Sequence, residues 1–121
     1  MSNMNLRTIG AWALTILLAL VFAAAGVSKL IGVEQTVLPF ERMGIPTLAY
    51  LVGALEIAGA IGLFIPRLRF LAALGLSATM AGAVAYHLTL DPERAALPGV
   101  ILLVLSLALA WIRRPARAQL A

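Results

Sequence analysis

Three side chains in this sequence have the types to do chemistry. Glu56 stands in the middle of the apolar run LVGALEIAGA, Lys29 closes the first apolar run, and His87 stands near the end of the third. An acid, an amine and an imidazole that converge can move protons, or can hold the polar head of an otherwise apolar molecule. They are a poor metal site, because one His and one Glu without a further ligand leave most coordination positions unfilled; no metal is expected. The chain has no cysteine, so no disulfide, Cys-x-x-Cys redox pair or thiolate metal site can form within it.

The elements that must carry these residues are set by hydropathy. Of 121 residues, 63% are hydrophobic and 12% charged. Soluble domains are nearer half apolar and a quarter charged. Four apolar segments stand out, at about 9–28, 47–65, 70–90 and 95–112. Each approaches the ~20 residues that cross a bilayer as a helix. None alternates with period two, so barrel strands do not fit. The expected fold is all-α: a single integral membrane domain over 1–121, built as an antiparallel up-down bundle of four transmembrane helices.

Boundary signals agree with those segments. Pro46 opens the second, where a missing N–H costs little, and Pro66 closes it. Asp91-Pro92-Glu93 reads as a cap, a first-turn proline and a dipole-favoured acid opening the fourth, which Arg113, Arg114 and Pro115 stop. The longest connection runs from Lys29 to Ile45, and its amphipathic piece Val37-Leu38-Pro39-Phe40 is expected at the interface or folded back over the bundle. Arg7 and the run Ala23-Ala24-Ala25 imitate a signal peptide, but the apolar stretch is long enough to span and reads as a retained helix.

Charge gives the orientation. Arg7, Arg67, Arg69, Arg113, Arg114 and Arg117 gather at one set of ends without acids. At the other ends Lys29, Arg42 and Arg94 are diluted by Glu34, Glu41, Asp91 and Glu93. The basic excess marks the cytoplasmic side, so both termini are expected there. Trp12 and Trp111 then belong to the inner aromatic belt, and Tyr50 and Tyr86 to the outer one. The net charge of +4 does not imply nucleic acid, because the basic residues form no stripe with interleaved aromatics. The expected partner is the bilayer, with its anionic headgroups, of a bacterial inner membrane.

Glu56 lies roughly 13 Å along the second helix. A central acid costs on the order of 2.5–3.5 kcal/mol of insertion free energy, which the surrounding leucines and isoleucines can offset. The helix inserts, but the acid wants a partner. Gly53, Glu56 and Gly59 share one face at i, i+3 and i+6, and small residues there admit a neighbouring backbone. Ser28 and Lys29 from the first helix, and Tyr86 and His87 from the third, end on the same side and can line an outward-leaning pocket. Each has a plainer reading: Glu56 as a structural hydrogen bonder, Lys29 as an interface anchor, His87 as a headgroup-level residue. Ser77 and Thr79 are expected to bond back to their own helix.

The order of these features resembles a known family. LALVFAAAGVSKL closes on Gly, a small polar residue and Lys; MGIPTLAYLVGALEIAGAIGLFIP carries Gly-x-Pro, then Gly-x-x-Glu, then a closing Pro; AALGLSATMAGAVAYHL ends on His. The pattern, over nearly the whole chain, resembles the DoxX-like family of small four-helix membrane proteins. The resemblance implies an association with thiosulfate:quinone oxidoreduction and with membrane oxidoreductase complexes. Related four-helix proteins are tied to cargo export and receptor assembly. Lys29, Glu56 and His87 match the family's polar positions, which implies an ion-paired pocket near the outer leaflet. The absence of cysteine departs from disulfide-handling four-helix enzymes, so that chemistry is not carried over.

The expected function is an accessory subunit of a quinone-linked membrane redox system, with a lipophilic-ligand pocket for which quinone is the candidate cofactor. Its partner would be a membrane oxidoreductase or a second copy of itself. Two other classes fit the same residues: a non-enzymatic scaffold or assembly factor, and a small proton-coupled exporter. Exporters of that kind usually show weak charge bias, unlike this chain. No residue is assigned a catalytic role.

Overall fold

The computed structural model describes residues 5–92 and 96–115. Glu93, Arg94 and Arg117, used in the cap and charge arguments above, lie outside the described residues. Within them the chain is all-α. Its five helices are α1 (Leu6–Leu30), α2 (Glu34–Arg42), α3 (Leu48–Gly62), α4 (Arg69–Thr89) and α5 (Leu97–Ile112), and there is no strand among the described residues.

α1 begins where the Asn5 side chain accepts a hydrogen bond from the Thr8 N–H, satisfying one orphan donor of the first turn. It runs 25 residues through alanine and leucine, with little to break it. α1 and α4 are long and apolar enough to cross a bilayer. α3 and α5, at 15 and 16 residues, are shorter than the segments 47–65 and 95–112 led one to expect. For α3 the reason lies in its ends. The N–H groups of Leu48, Ala49 and Tyr50 bond to carbonyls three residues back, and so do those of Phe64, Ile65 and Leu68. Such tightened turns rise ~2.0 Å per residue, so hydrogen-bonded backbone continues past both ends of the regular helix. For α5, Asp91 does not cap it as expected. The helix starts at Leu97, with Pro98 in its first turn, and the Asp91 carboxylate is engaged elsewhere.

The connection from Lys29 to Ile45 is more ordered than its sequence suggested. α2 spans nine residues, with Glu34 in its first turn and Arg42 in its last, both complementing the helix dipole. It holds Pro39 inside, so one i−4 bond is lost. Gly32 at φ 79° and Gly44 at φ 76° turn the chain into and out of it, in a region that side chains other than glycine enter only with strain. None of its residues is fully buried, and it lies on α1 and α3.

The other helices pack α1 on α3, α3 on α4, α4 on α5 and α5 on α1. Leu18, Phe22, Leu63, Leu76 and Leu109 fill the core, with Ala60, Ala73 and Ala110 between them. Backbones approach closely where α1 meets α3. A Cβ on Gly26 would stand 2.6 Å from the Gly53 carbonyl oxygen, and one on Gly53 would stand 2.8 Å from the Gly26 oxygen. Aliphatic side chains such as Leu20, Leu71 and Val104 remain exposed around the outside. Buried hydroxyls turn back on their own helices: Thr15 to the Ala11 carbonyl and Ser77 to Ala73, as does the exposed Thr79 to Gly75.

Candidate functional site

Glu56 is completely buried on the face of α3 that also carries Gly53 and Ala60. A charge there is tolerable only with an opposite charge beside it. Lys29, in the last turn of α1, supplies it: its Nζ lies 2.6 Å from Glu56 Oε1. The other carboxylate oxygen, Oε2, has no hydrogen-bond partner among the described residues. The approach depends on glycine. A Cβ on Gly53 would stand 2.9 Å from the Lys29 Cβ, so the bare backbone at 53 lets the lysine stem lie against α3, one turn from Glu56. Lys29 therefore points inward instead of snorkelling to the surface.

Lys29 also borders a cavity of about 440 Å³. α2 closes one side with Gln35, Thr36, Pro39 and Phe40; α3 adds Leu48 and Val52; α4 adds Thr79, Met80, Ala83, Tyr86 and His87. The wall is mostly apolar, with a few polar atoms. Tyr86 is buried, and its hydroxyl has no hydrogen-bond partner among the described residues. Tyr86, expected in the outer aromatic belt, is turned into the protein, whereas Tyr50 is exposed. The His87 Nδ1 lies 3.8 Å from Asp91 Oδ2, too far for a hydrogen bond, and its ring meets Tyr86 edge-on. Asp91 is further paired with Arg42 at 3.5 Å, joining the end of α2 to the end of α4.

The structure thus distributes the sequence-derived residues over two connected places. Lys29 and Glu56 form an ion pair. Lys29, Tyr86 and His87 line one cavity, which Glu56 does not border. Gly53 serves the α1–α3 crossing, and Gly59 faces Leu76 of α4, whose side chain a Cβ at 59 would meet at 2.7 Å. Ser28 turns away, donating to the Ala24 carbonyl. Sequence reasoning missed the part of α2 in the cavity wall, and it missed the pairing of Arg42 with Asp91. The signal for α2 was present in Glu34 and Arg42, acid and base at opposite ends of a short amphipathic piece. The signal for the Arg42–Asp91 pair was weak, because the two residues are far apart in the chain.

No group of three or more His, Cys, Asp or Glu among the described residues could hold a metal ion. The arrangement can instead bind an apolar molecule and present an ammonium, a phenol and an imidazole to its polar end.

Comparison with known proteins adds one match. The model of a family described as the DoxX-like family matches residues 13–109, which include Lys29, Glu56 and His87. No curated protein and no solved structure shows a significant match.

Proposed function

The chain belongs to the DoxX-like family, and from that premise we propose that it is an inner-membrane protein that holds a lipophilic ligand, a quinone or a close relative, in an accessory role beside a membrane oxidoreductase. One observation carries the proposal: the cavity of about 440 Å³ between α2, α3 and α4, mostly apolar, with Lys29, Tyr86 and His87 among its few polar lining residues. Its size falls in the range of small-molecule sites, roughly 300–1,000 Å³. The Tyr86 hydroxyl, buried and without a hydrogen-bond partner among the described residues, and the His87 Nδ1, 3.8 Å from Asp91 Oδ2, are the groups a quinone carbonyl would engage. Glu56 acts through Lys29, by holding the ammonium at the rim.

The membrane reading draws on several features. Two helices have spanning length, and the turns flanking α3 extend its hydrogen-bonded path. Gly26 against Gly53, and Trp12 beside Phe64 at 6.2 Å, support opposite directions for α1 and α3. The acid-free arginines near both termini and in the α3–α4 turn support a four-span up-down bundle with both termini in the cytoplasm.

The test is quinone binding to the purified protein by fluorescence quenching or calorimetry. Wild type is expected to bind. Tyr86→Phe is expected to lose about tenfold, the size of one buried hydrogen bond. Ala83→Leu, which fills the cavity, is expected to abolish binding. Equal binding by all three would refute the site.

A second reading has its own observation. The Lys29–Glu56 pair is buried outside the cavity wall, a position suited to fixing the α1–α3 packing of a scaffold or assembly factor. That reading expects stability losses on mutation and no ligand in any assay.

A further inference from the structure

A second group of charges lies toward the other end of α1. Trp12 is half-buried there. Arg69, the first residue of α4, places its guanidinium carbon 5.0 Å from the centre of the Trp12 ring. Arg113, which caps α5, places its own 5.3 Å from the same centre. Two cations therefore share one indole. Each gains a modest attraction from the ring, but they repel one another at a distance within roughly one Debye length. Burial and the neighbouring Arg69 both make Arg113 hold its proton less tightly than a free guanidinium.

No carboxylate pairs with either arginine among the described residues. The described acids belong to α2, the middle of α3 and the segment after α4. Meanwhile Arg69 Nε, Arg113 Nε and Arg113 Nη2 are buried and have no acceptor among the described residues. Buried donors without acceptors are costly. An anion with several oxygens would satisfy these donors, and a guanidinium fork matches a phosphate in shape as well as charge. Apolar surface runs up to the place: Ile9, Leu68 and Leu71 are all exposed. Arg114 makes a useful contrast. It stacks on Trp111 at 3.8 Å and donates from Nη1 to the Trp111 carbonyl.

We propose that Arg69 and Arg113, braced on Trp12, bind the phosphate of an anionic phospholipid headgroup whose acyl chains lie along the exposed leucines of α4. The site is separate from the cavity at Lys29 and needs only the membrane placement proposed above. It would fix that end of the bundle in the headgroup layer and join the starts of α1 and α4 to the end of α5 through one ligand.

Native mass spectrometry tests it. The full chain is released from micelles that hold equal phosphatidylglycerol and phosphatidylcholine. Wild type is expected to keep phosphatidylglycerol preferentially. Arg69→Gln and Arg113→Gln are each expected to lower the retained phosphatidylglycerol about tenfold, the effect of one charge-assisted contact. Arg113→Lys, which keeps the charge but loses the fork, should fall between, and guards against a glutamine variant that fails to fold. Arg114→Gln should leave retention unchanged. Excess inorganic phosphate should not displace the lipid; displacement would assign the site to free phosphate and overturn the lipid. Equal retention of the two lipids by wild type overturns the site alone. A chain that stays soluble without detergent overturns the membrane placement and the site together.

Discussion

Lys29 and Glu56 need each other more than the fold needs either. A buried pair broken on one side leaves an uncompensated charge, at a cost of about 3–5 kcal/mol, whereas replacing both partners with apolar residues is often close to neutral. Lys29→Met is therefore expected to lower the unfolding midpoint sharply, and Lys29→Met combined with Glu56→Leu to recover most of it. Unfolding in detergent by circular dichroism checks this; additive losses would mean that the contact at 2.6 Å carries no coupling. At this scale part of the site was legible. A lone acid in an apolar run, with glycines one turn to either side, announces a close neighbour, and Gly53 does admit the Lys29 stem. What the sequence could not supply was direction. Nothing local distinguishes a histidine turned toward Glu56 from one turned toward Asp91, four residues further along, where the structure places the His87 Nδ1.

Glycines within one helix have opposite roles. Gly10 has no atom within 4 Å of where a Cβ would stand, whereas Gly26 would meet backbone at 2.6 Å. Gly10→Ala is expected to stabilise α1 by about 0.5–1 kcal/mol through helix propensity. Gly26→Ala is expected to destabilise by about 1–3 kcal/mol, because the α1–α3 crossing must open. Thermal melts of the two variants, run side by side, should shift in opposite directions. Gly44→Ala is expected to cost about 1–2 kcal/mol for a different reason: its φ of 76° strains any side chain although the space around it is empty. Helix existence was legible from hydropathy, and helix length less so. The apolar run through α3 continues past Gly62, but its backbone tightens into three-residue turns there, a choice that hydropathy does not encode. α2 was obscured by Pro39, which argues locally against a helix; the turn at Gly32, the dipole-matched ends and the packing on α1 and α3 outweigh that single lost bond.

Charge placement predicts how the whole molecule lies. The absence of native cysteine makes a labelling test clean. Glu34→Cys on α2 is expected to react with a membrane-impermeant maleimide from outside the cell, and Arg67→Cys in the α3–α4 turn only after the membrane is opened. Both side chains are exposed in the structure, so accessibility within the fold does not limit either reaction. The cavity lies at the Lys29 end of α1 and the arginine pair at the Trp12 end, giving the molecule two polar regions with apolar helix between them. The measurement that bears most directly on the central claim is where a photoreactive quinone attaches. If the cavity is the ligand site, light-driven adducts should concentrate on Phe40, Met43 and Met80 and disappear with excess unlabelled quinone. Adducts scattered over the outward leucines, and indifferent to competitor, would leave the cavity without its ligand.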